Sequence, residues 1–349
     1  MSGKADIKSM SPEELEAFFK ELGEPAYRAK QVFAWIHRGV RSFDEMTDIK
    51  KDLRERLGRE AEFTNVSVRR KLVSEIDGTV KYLYGLEDGE SVESVVMDYG
   101  YGGSVCISTQ VGCRMGCAFC ASGIAGLSAA ASSRPRCSTQ VLMAKRDSGM
   151  DVTHCVLMGI GEPLDNYDNV VKFLDILSCP GGTNMSLRHV SLSTCGRVDG
   201  ILRLAKLKLG LTLSVSLHAP NDRIRSQLMP VNKKWGIDEL LDACRVYVHD
   251  TGRRISFEYA MFRGVNDSER DARELAGRLR GILCHVNLIP ANDVKETGLT
   301  KSTGESVRRF RDILAGYGLN VTVRRTLGAD INASCGQLRR AEGLRSDKA

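Results

Sequence analysis

From residue 105 onward, short apolar runs alternate with longer amphipathic stretches, and this alternation limits the possible folds more than any other feature of the chain. Runs at 105–109, 152–158, 189–193, 212–217, 255–261, 285–289 and 321–325 read as strands, while 167–177, 200–209, 238–249, 268–279 and 303–317 carry apolar residues at helical spacing. Repeated βα units imply a parallel sheet, either a closed or partial barrel or a doubly wound sheet. Residues with reactive or polar side chains fall just past successive strands: Cys113 to Cys120, Gly159-Ile-Gly-Glu162-Pro163, Ser193-Thr194, Ser216-Leu217-His218, Asn266-Asp267 and Pro290-Ala-Asn292. A doubly wound sheet gathers its site at one switch point. Six such loops favour instead a partial (β/α)6 TIM-type barrel, whose chemistry collects at the C-terminal ends of the strands.

The N-terminal part follows a different pattern. Ser11-Pro12-Glu13-Glu14 predicts a helix start, with Ser11 as N-cap, Pro12 at the first helical position and Glu14 closing a capping box. Leu15, Phe18, Phe19 and Leu22 follow at helical spacing; residues 27–37 give a second helix with Val32, Phe33 and Ile36 inward, and 43–57 a third. Further on, runs at 71–76 and 79–83 flank Asp77-Gly78, a strong hairpin signal, and Asp88-Gly89 marks a second turn before 91–97. The expected organisation is a small helical domain at 1–60, a β meander as connector at 61–98, and the α/β barrel at 99–349.

No apolar run approaches the roughly 20 residues needed to cross a bilayer, and the opening MSGKADIKSMSPEE lacks the apolar stretch of a signal peptide. A cytoplasmic location is expected. In that compartment eleven cysteines argue against a disulfide framework. Cys155, Cys179, Cys244 and Cys284 read as small buried apolar residues. Of the net charge of +6, residues 301–349 supply +5, from ten Lys/Arg against five acids. Such a stretch suits a polyanion, although a solvated face would have the same composition.

Cys113-Arg-Met-Gly-Cys117-Ala-Phe-Cys120 is a C-x3-C-x2-C run. Three thiolates on one loop can hold three irons of a cubane and leave the fourth open; an electron-transfer cluster would need four. Structural zinc would require a fourth Cys or His, which the flanks do not supply at compatible spacing.

These residues resemble the RlmN/Cfr family of radical S-adenosylmethionine (SAM) RNA methyltransferases, the RlmN branch most closely. The resemblance rests on Val105-Cys106-Ile-Ser-Thr-Gln-Val-Gly-Cys113, Met158-Gly-Ile-Gly-Glu162-Pro, Ser216-Leu-His-Ala-Pro-Asn-Asp222 and Asn287-Leu-Ile-Pro-Ala-Asn292, in family order. It runs from Pro25-Ala-Tyr-Arg-Ala-Lys-Gln to Ala333-Ser-Cys335-Gly-Gln-Leu. It implies a radical SAM core, a [4Fe–4S] cluster on Cys113, Cys117 and Cys120, and methylation of adenosine C2 in 23S rRNA and beside the tRNA anticodon. It also implies that Cys335 carries a methyl group taken from one SAM. A radical from a second SAM then removes a hydrogen, the methylene adds to C2, and Cys106 releases product through a transient disulfide with Cys335. Glu93 takes the position of the family's proton acceptor. Gly161, Glu162, Ser193, Ser216, Leu217, His218 and Asn292 take those of the SAM-binding residues. An electron donor such as flavodoxin or ferredoxin, and a monomeric enzyme, are further expectations.

Read without the family, Glu93 is an outward-facing strand residue and His218 a satisfied barrel histidine, while Cys335 lies in a polar loop. The sequence departs from the family at 128–140, where an Arg-Asn-Leu stretch and a helix carrying Gly-Glu-Ile are replaced by a segment containing Pro135. Cys195 stands where the family usually has Ser. A C8-directed, Cfr-type activity uses the same cysteine motifs. A non-catalytic RNA-binding protein with an inactive or zinc-filled site is the alternative from another class.

Overall fold

The computed structural model describes residues 4–100, 102–124, 137–291, 298–334, 336 and 338. A two-residue strand β1 (Ala5–Asp6) leads to helix α1 (Pro12–Glu21), where Ser11 and Glu14 form the expected reciprocal capping box. Helix α2 (Ala26–His37) buries Val32, Phe33 and Ile36 as its spacing predicts. The third helix differs: Phe43–Glu45 makes a single 3-10 turn, Met46 leaves helical geometry, and α3 spans Lys51–Glu60. Thr47 and Asp48, both poor helix formers with side chains that compete for the backbone, occupy the break. Strand β2 (Ala61–Glu62) then pairs in parallel with β1. The core of these helices also takes in Leu142 and Ile176, so the helical unit packs against the barrel.

Strands β3 (Ser67–Val73), β4 (Val80–Gly85) and β5 (Ser91–Asp98) form the expected antiparallel meander. It is more than a connector, because β5 pairs antiparallel with β6 (Gly103–Cys106), making the meander part of the main sheet. The chain continues through α4 (Ala121–Ile124), α5 (Cys137–Ser148), β7 (Val152–Leu157), α6 (Tyr167–Ser178), β8 (Val190–Thr194), α7 (Val198–Lys206) and β9 (Thr212–Ser216). It ends with α8 (Asp222–Leu228), α9 (Ile237–Thr251), β10 (Ile255–Met261), α10 (Glu269–Leu279), β11 (Cys284–Pro290), α11 (Gly304–Gly316) and β12 (Asn320–Val323). Among the described residues, strands β3 to β12 follow one another in sequence order across a single ten-stranded sheet, parallel from β6 onward. The sheet stays open, as a partial barrel does.

Period-two alternation positions the site. Val190, Leu192, Leu213, Val215, Ile255, Phe257, Val286 and Leu288 are fully buried in the core shared with the surrounding helices. Each such burial contributes roughly 1.5–3 kcal/mol. Their neighbours Ser191, Ser214, Ser256 and Asn287 face the other way, into the barrel. A closed barrel fills that space with branched aliphatic side chains; here it is polar and unfilled. No helix among the described residues is long and apolar enough to cross a membrane.

Candidate active site

Past the C-terminal ends of the parallel strands lies a cavity of about 170 Å³. The loop after β6 brings Cys113, Cys117 and Cys120 to it. Gly112 and Gly116, at φ 86° and 67°, turn this loop back on itself. The Ala118 N–H donates to the Leu228 carbonyl at 2.9 Å and the Ala121 N–H to that of Gly336 at 2.8 Å. Phe119, the aromatic before the last cysteine, packs edge-on against His218 at 4.8 Å and lies 5.4 Å from Phe262.

Burial pushes the Cys113 thiol up to about 12 and raises that of Cys117 as well, the neighbouring sulfurs adding to the effect. Thiolates here therefore need a positive partner. Among the described residues no three His, Cys, Asp or Glu side chains converge as the ligands of one metal ion do. Three sulfurs around one cavity fit a cluster that offers each its own iron.

The loop after β7 runs hard against the one after β6. A Cβ on Gly159 would lie 2.6 Å from the Ile107 carbonyl oxygen, and one on Gly161 (φ 108°) would lie 2.7 Å from the Gln110 Cβ. Glycine at both positions lets Glu162 reach the cavity. Its carboxylate accepts from the Cys195 N–H at 2.7 Å and the Leu164 N–H at 3.0 Å. Burial raises its pKa against the pull of these bonds. The Cys195 side chain also hydrogen-bonds Glu162, so the departure from Ser retains that contact. Ser193 and Ser216 line the cavity from the ends of β8 and β9. Leu217 does not: its side chain belongs to the aliphatic core, leaving only its backbone near the site.

His218 takes a positive φ of 54°. Its Nδ1 accepts from the Ala260 N–H at 2.9 Å, and Asn266 holds both the His218 and Ala260 carbonyls at 2.7 Å. Burial, with the Arg225 guanidinium nearby, pulls His218 down to about 3, so the ring is neutral and its proton sits on Nε2.

The sequence reading missed Arg225. This fully buried side chain donates to the carbonyls of Leu217, Ser216 and Cys195 and to Asn232 Oδ1. It ties the β8 and β9 loops together beneath the cluster loop. Its sequence signal was position, three residues past the Ser216–Asp222 motif. Asp165 was missed too; it pairs with both Arg114 and Arg197 and accepts from Gln110 at 3.2 Å.

Cys106, buried at the end of β6, lines a second, smaller cavity with Val95, Leu327 and Ser334. Cys335 lies outside the described residues, as does Asn292. Their neighbours do not: Ser334 lines the Cys106 cavity, while Gly336 and Ala291 line the larger one. No disulfide links the described cysteines. Glu93 is buried, not outward-facing, and its carboxylate meets Lys81 Nζ at 2.9 Å. Lys81 also donates to the Asn332 carbonyl at 3.0 Å. The β3–β4 turn completes this clasp: Asp77 accepts from the Gly328 N–H at 2.8 Å, and Ser74 donates to Asp330 at 2.7 Å. The meander thus holds the loop that precedes Cys335.

Of the atypical segment, residues 128–136 lie outside the described residues. From Cys137 the chain is regular helix: Gln140 accepts from the Ser108 N–H at 3.0 Å and Ser94 Oγ at 2.9 Å, and returns a bond to the Ser108 carbonyl at 2.8 Å. The strand-to-cluster connection is therefore supported from behind.

Two family models match the chain: the ribosomal RNA large subunit methyltransferase N-terminal domain over residues 5–63, and the radical SAM superfamily over 107–276. A probable dual-specificity RNA methyltransferase RlmN of Alkaliphilus oremlandii is 50% identical over 337 residues, covering 97% of this chain and 98% of the relative. That of Desulforamulus reducens is 49% identical over 340 residues, covering 97% of each chain. The crystal structure of a radical SAM methyltransferase from Sphaerobacter thermophilus superposes with a TM-score of 0.89 at 41% identity, over 96% of this chain and 99% of that one.

Proposed function

The chain belongs to the RlmN family of radical SAM RNA methyltransferases, and on that premise we propose that it methylates C2 of an adenosine in 23S rRNA and of the adenosine beside the anticodon in tRNA. The observation that carries the reading is the arrangement of two cysteine-bearing cavities around one segment. The residues on either side of Cys335 line the cluster-loop cavity and the Cys106 cavity respectively.

The family uses a [4Fe–4S] cluster and SAM, which here Cys113, Cys117 and Cys120 would hold. Bound there, the cluster would supply the electron for reductive cleavage of SAM, and with it the means to remove a hydrogen from the Cys335 methyl so that its carbon can add to an electron-poor sp² centre such as C2. The chain's own groups do the rest. Glu162, its orientation fixed by two backbone N–H donors, offers a carboxylate to the SAM amino group, with Gly161 giving room beside it. His218 presents a neutral Nε2–H, and Ser193, Ser216 and Asn292 complete the SAM contacts. Cys335 carries the methyl group. Glu93, on the inward face of β5 one pleat from the Val95–Cys106 pair, takes the proton from C2. The Cys106 thiolate then attacks the Cys335 sulfur: the S–S bond forms as the bond from that sulfur to the methylene carbon breaks, the released carbon takes up a proton and becomes the C2 methyl, the single electron that started the reaction is given back, and an external reductant reopens the disulfide.

RNA is the substrate class of the family. The N-terminal helices and the basic C-terminal stretch supply phosphate and shape contacts, and the target base is unstacked to enter the site. Flavodoxin or ferredoxin serves as the donor to a monomeric, cytoplasmic enzyme. Mass spectrometry of nucleosides from RNA incubated with protein, SAM and a reductant tests the reading. It expects 2-methyladenosine. 8-Methyladenosine would assign the Cfr-type activity, and a colourless, zinc-containing protein without product would defeat the radical assignment.

A further inference from the structure

At the opposite end of the barrel, where the parallel strands begin, the inner face encloses about 680 Å³, a size that suits a ligand rather than packing. Its walls are polar by design of the alternation: Ser191, Thr212, Ser214, Ser256 and Thr322 present hydroxyls, and Asn287 an amide. Around the mouth stand Arg188 just before β8, and Arg253 and Arg254 just before β10. None of the three has a carboxylate partner among the described residues, and the Nε of Arg253 is buried with no hydrogen-bond partner. Three histidines join them. His154 and His189 stack at 4.6 Å and 11°, and His285 Nε2 lies 2.9 Å from Thr322 Oγ1.

The only carboxylate lining this bore among the described residues is Glu258, at its inner end. That group is already engaged, accepting from Ser256 Oγ at 2.9 Å and Asn287 Nδ2 at 2.8 Å. Three guanidinium groups drawn to one mouth repel each other unless an anion lies between them. The planar guanidinium fork matches phosphate oxygens, and the hydroxyls behind it can donate to the same group.

We propose that this bore is a second ligand site, which binds a phosphate ester through Arg188, Arg253 and Arg254. The phosphate is either part of an RNA backbone or a free phosphate ester. Its mouth lies at the far end of the strands from the cysteine cavity, with Met158 and the Glu258–Arg324 pair between the two, so phosphate at the mouth does not require the cluster or SAM, and the proposal stands or falls independently of the methylation reading.

The test is calorimetric titration of the full-length, cluster-loaded protein with inorganic phosphate at low ionic strength, where exposed charges are least screened. Saturable binding is expected. Because Arg188 and Arg254 are exposed, the Arg188→Gln/Arg254→Gln variant should fold normally, with an unchanged unfolding midpoint. Its phosphate binding should be roughly tenfold or more weaker, the size of a lost charge-assisted contact. Release of 5′-deoxyadenosine from SAM should be unaltered. Arg253→Gln should weaken phosphate binding in the same way. Absence of saturable binding in the wild type, or indistinguishable isotherms for wild type and double variant, would overturn the proposal. A second arm separates the sources. If saturating phosphate weakens binding of an RNA stem-loop to the wild type but not to the double variant, the site takes RNA backbone. If RNA binding is indifferent to phosphate in both proteins, it takes a free ester.

Discussion

The Lys81–Glu93 pair permits a quantitative test of how the meander supports the reaction. Both side chains are almost wholly buried, with charged atoms 2.9 Å apart. At an effective dielectric constant of about 20, their attraction is about 6 kcal/mol. Taking two ions out of water costs several kcal/mol each, so the intact pair contributes little net stability. Removing one partner is another matter. Lys81→Met leaves the Glu93 carboxylate buried without its cation, at a cost of about 3–5 kcal/mol. It also removes the bond to the Asn332 carbonyl, worth about 1 kcal/mol. Replacing both residues, as Lys81→Met/Glu93→Gln, removes the buried charge as well and should recover about 2–3 kcal/mol of that loss. Anaerobic urea unfolding of wild type, both single variants and the double variant closes the cycle. The single lysine variant should still release 5′-deoxyadenosine from SAM while yielding little methylated RNA, because the loop leading to Cys335 has lost its anchor. Additive single-variant effects, or a Lys81→Met cost below about 1 kcal/mol, would refute the reasoning.

Four further outcomes are expected. Cys106→Ala should trap a covalent protein–RNA adduct, visible as a slow band on denaturing gels; free product at normal yield would remove Cys106 from the reaction. Asp77→Ala deletes the bond to the Gly328 N–H and should cost about 1 kcal/mol, with methylation falling more than SAM cleavage. Gly161→Ala places a Cβ 2.7 Å from Gln110 at a φ of 108°, and should weaken SAM binding measured by equilibrium dialysis. His37 accepts from the Thr183 N–H through Nδ1, and burial pulls it down to about 4. A histidine whose folded pKa is lowered stabilises the fold fully above its unfolded value near 6.5 and loses that contribution as pH falls toward 4. The loss from pH 7 to pH 4 is about 3 kcal/mol. His37→Gln should flatten that dependence in urea unfolding, and an unchanged slope would exclude His37 as its source.

Which parts of this molecule were legible in its sequence follows from how local each determinant is. The Ser11–Glu14 capping box and the cysteine loop are complete within four to eight consecutive residues, and the structure forms the first as expected and brings the three thiols of the second to one cavity. Strand–helix alternation is equally local, so the partial barrel could be expected with its site at the strand ends. The break between Phe43 and Lys51 was hidden because apolar spacing continued through residues that leave the helix. The polar inner face is visible in retrospect in strings such as Val190-Ser-Leu-Ser and Cys284-His-Val-Asn, where every second residue is polar although both sheet faces lie inside the molecule. That pattern is the sequence signal for the bore that the strand assignments alone passed over. Arg225 and Lys81 were beyond such reading, since a charge in isolation looks solvated. Arg225 is buried because three carbonyls from the β8 and β9 loops converge on it. Lys81 and Glu93 meet only because β4 pairs with β5 in the register that sets Lys81 opposite Val95 and Leu83 opposite Glu93. A shift of one residue would turn one of the two to the other face of the sheet and separate them. The site's electrostatics are therefore a property of strand register, and a substitution that slips β4 against β5 should silence methylation even with every cysteine in place.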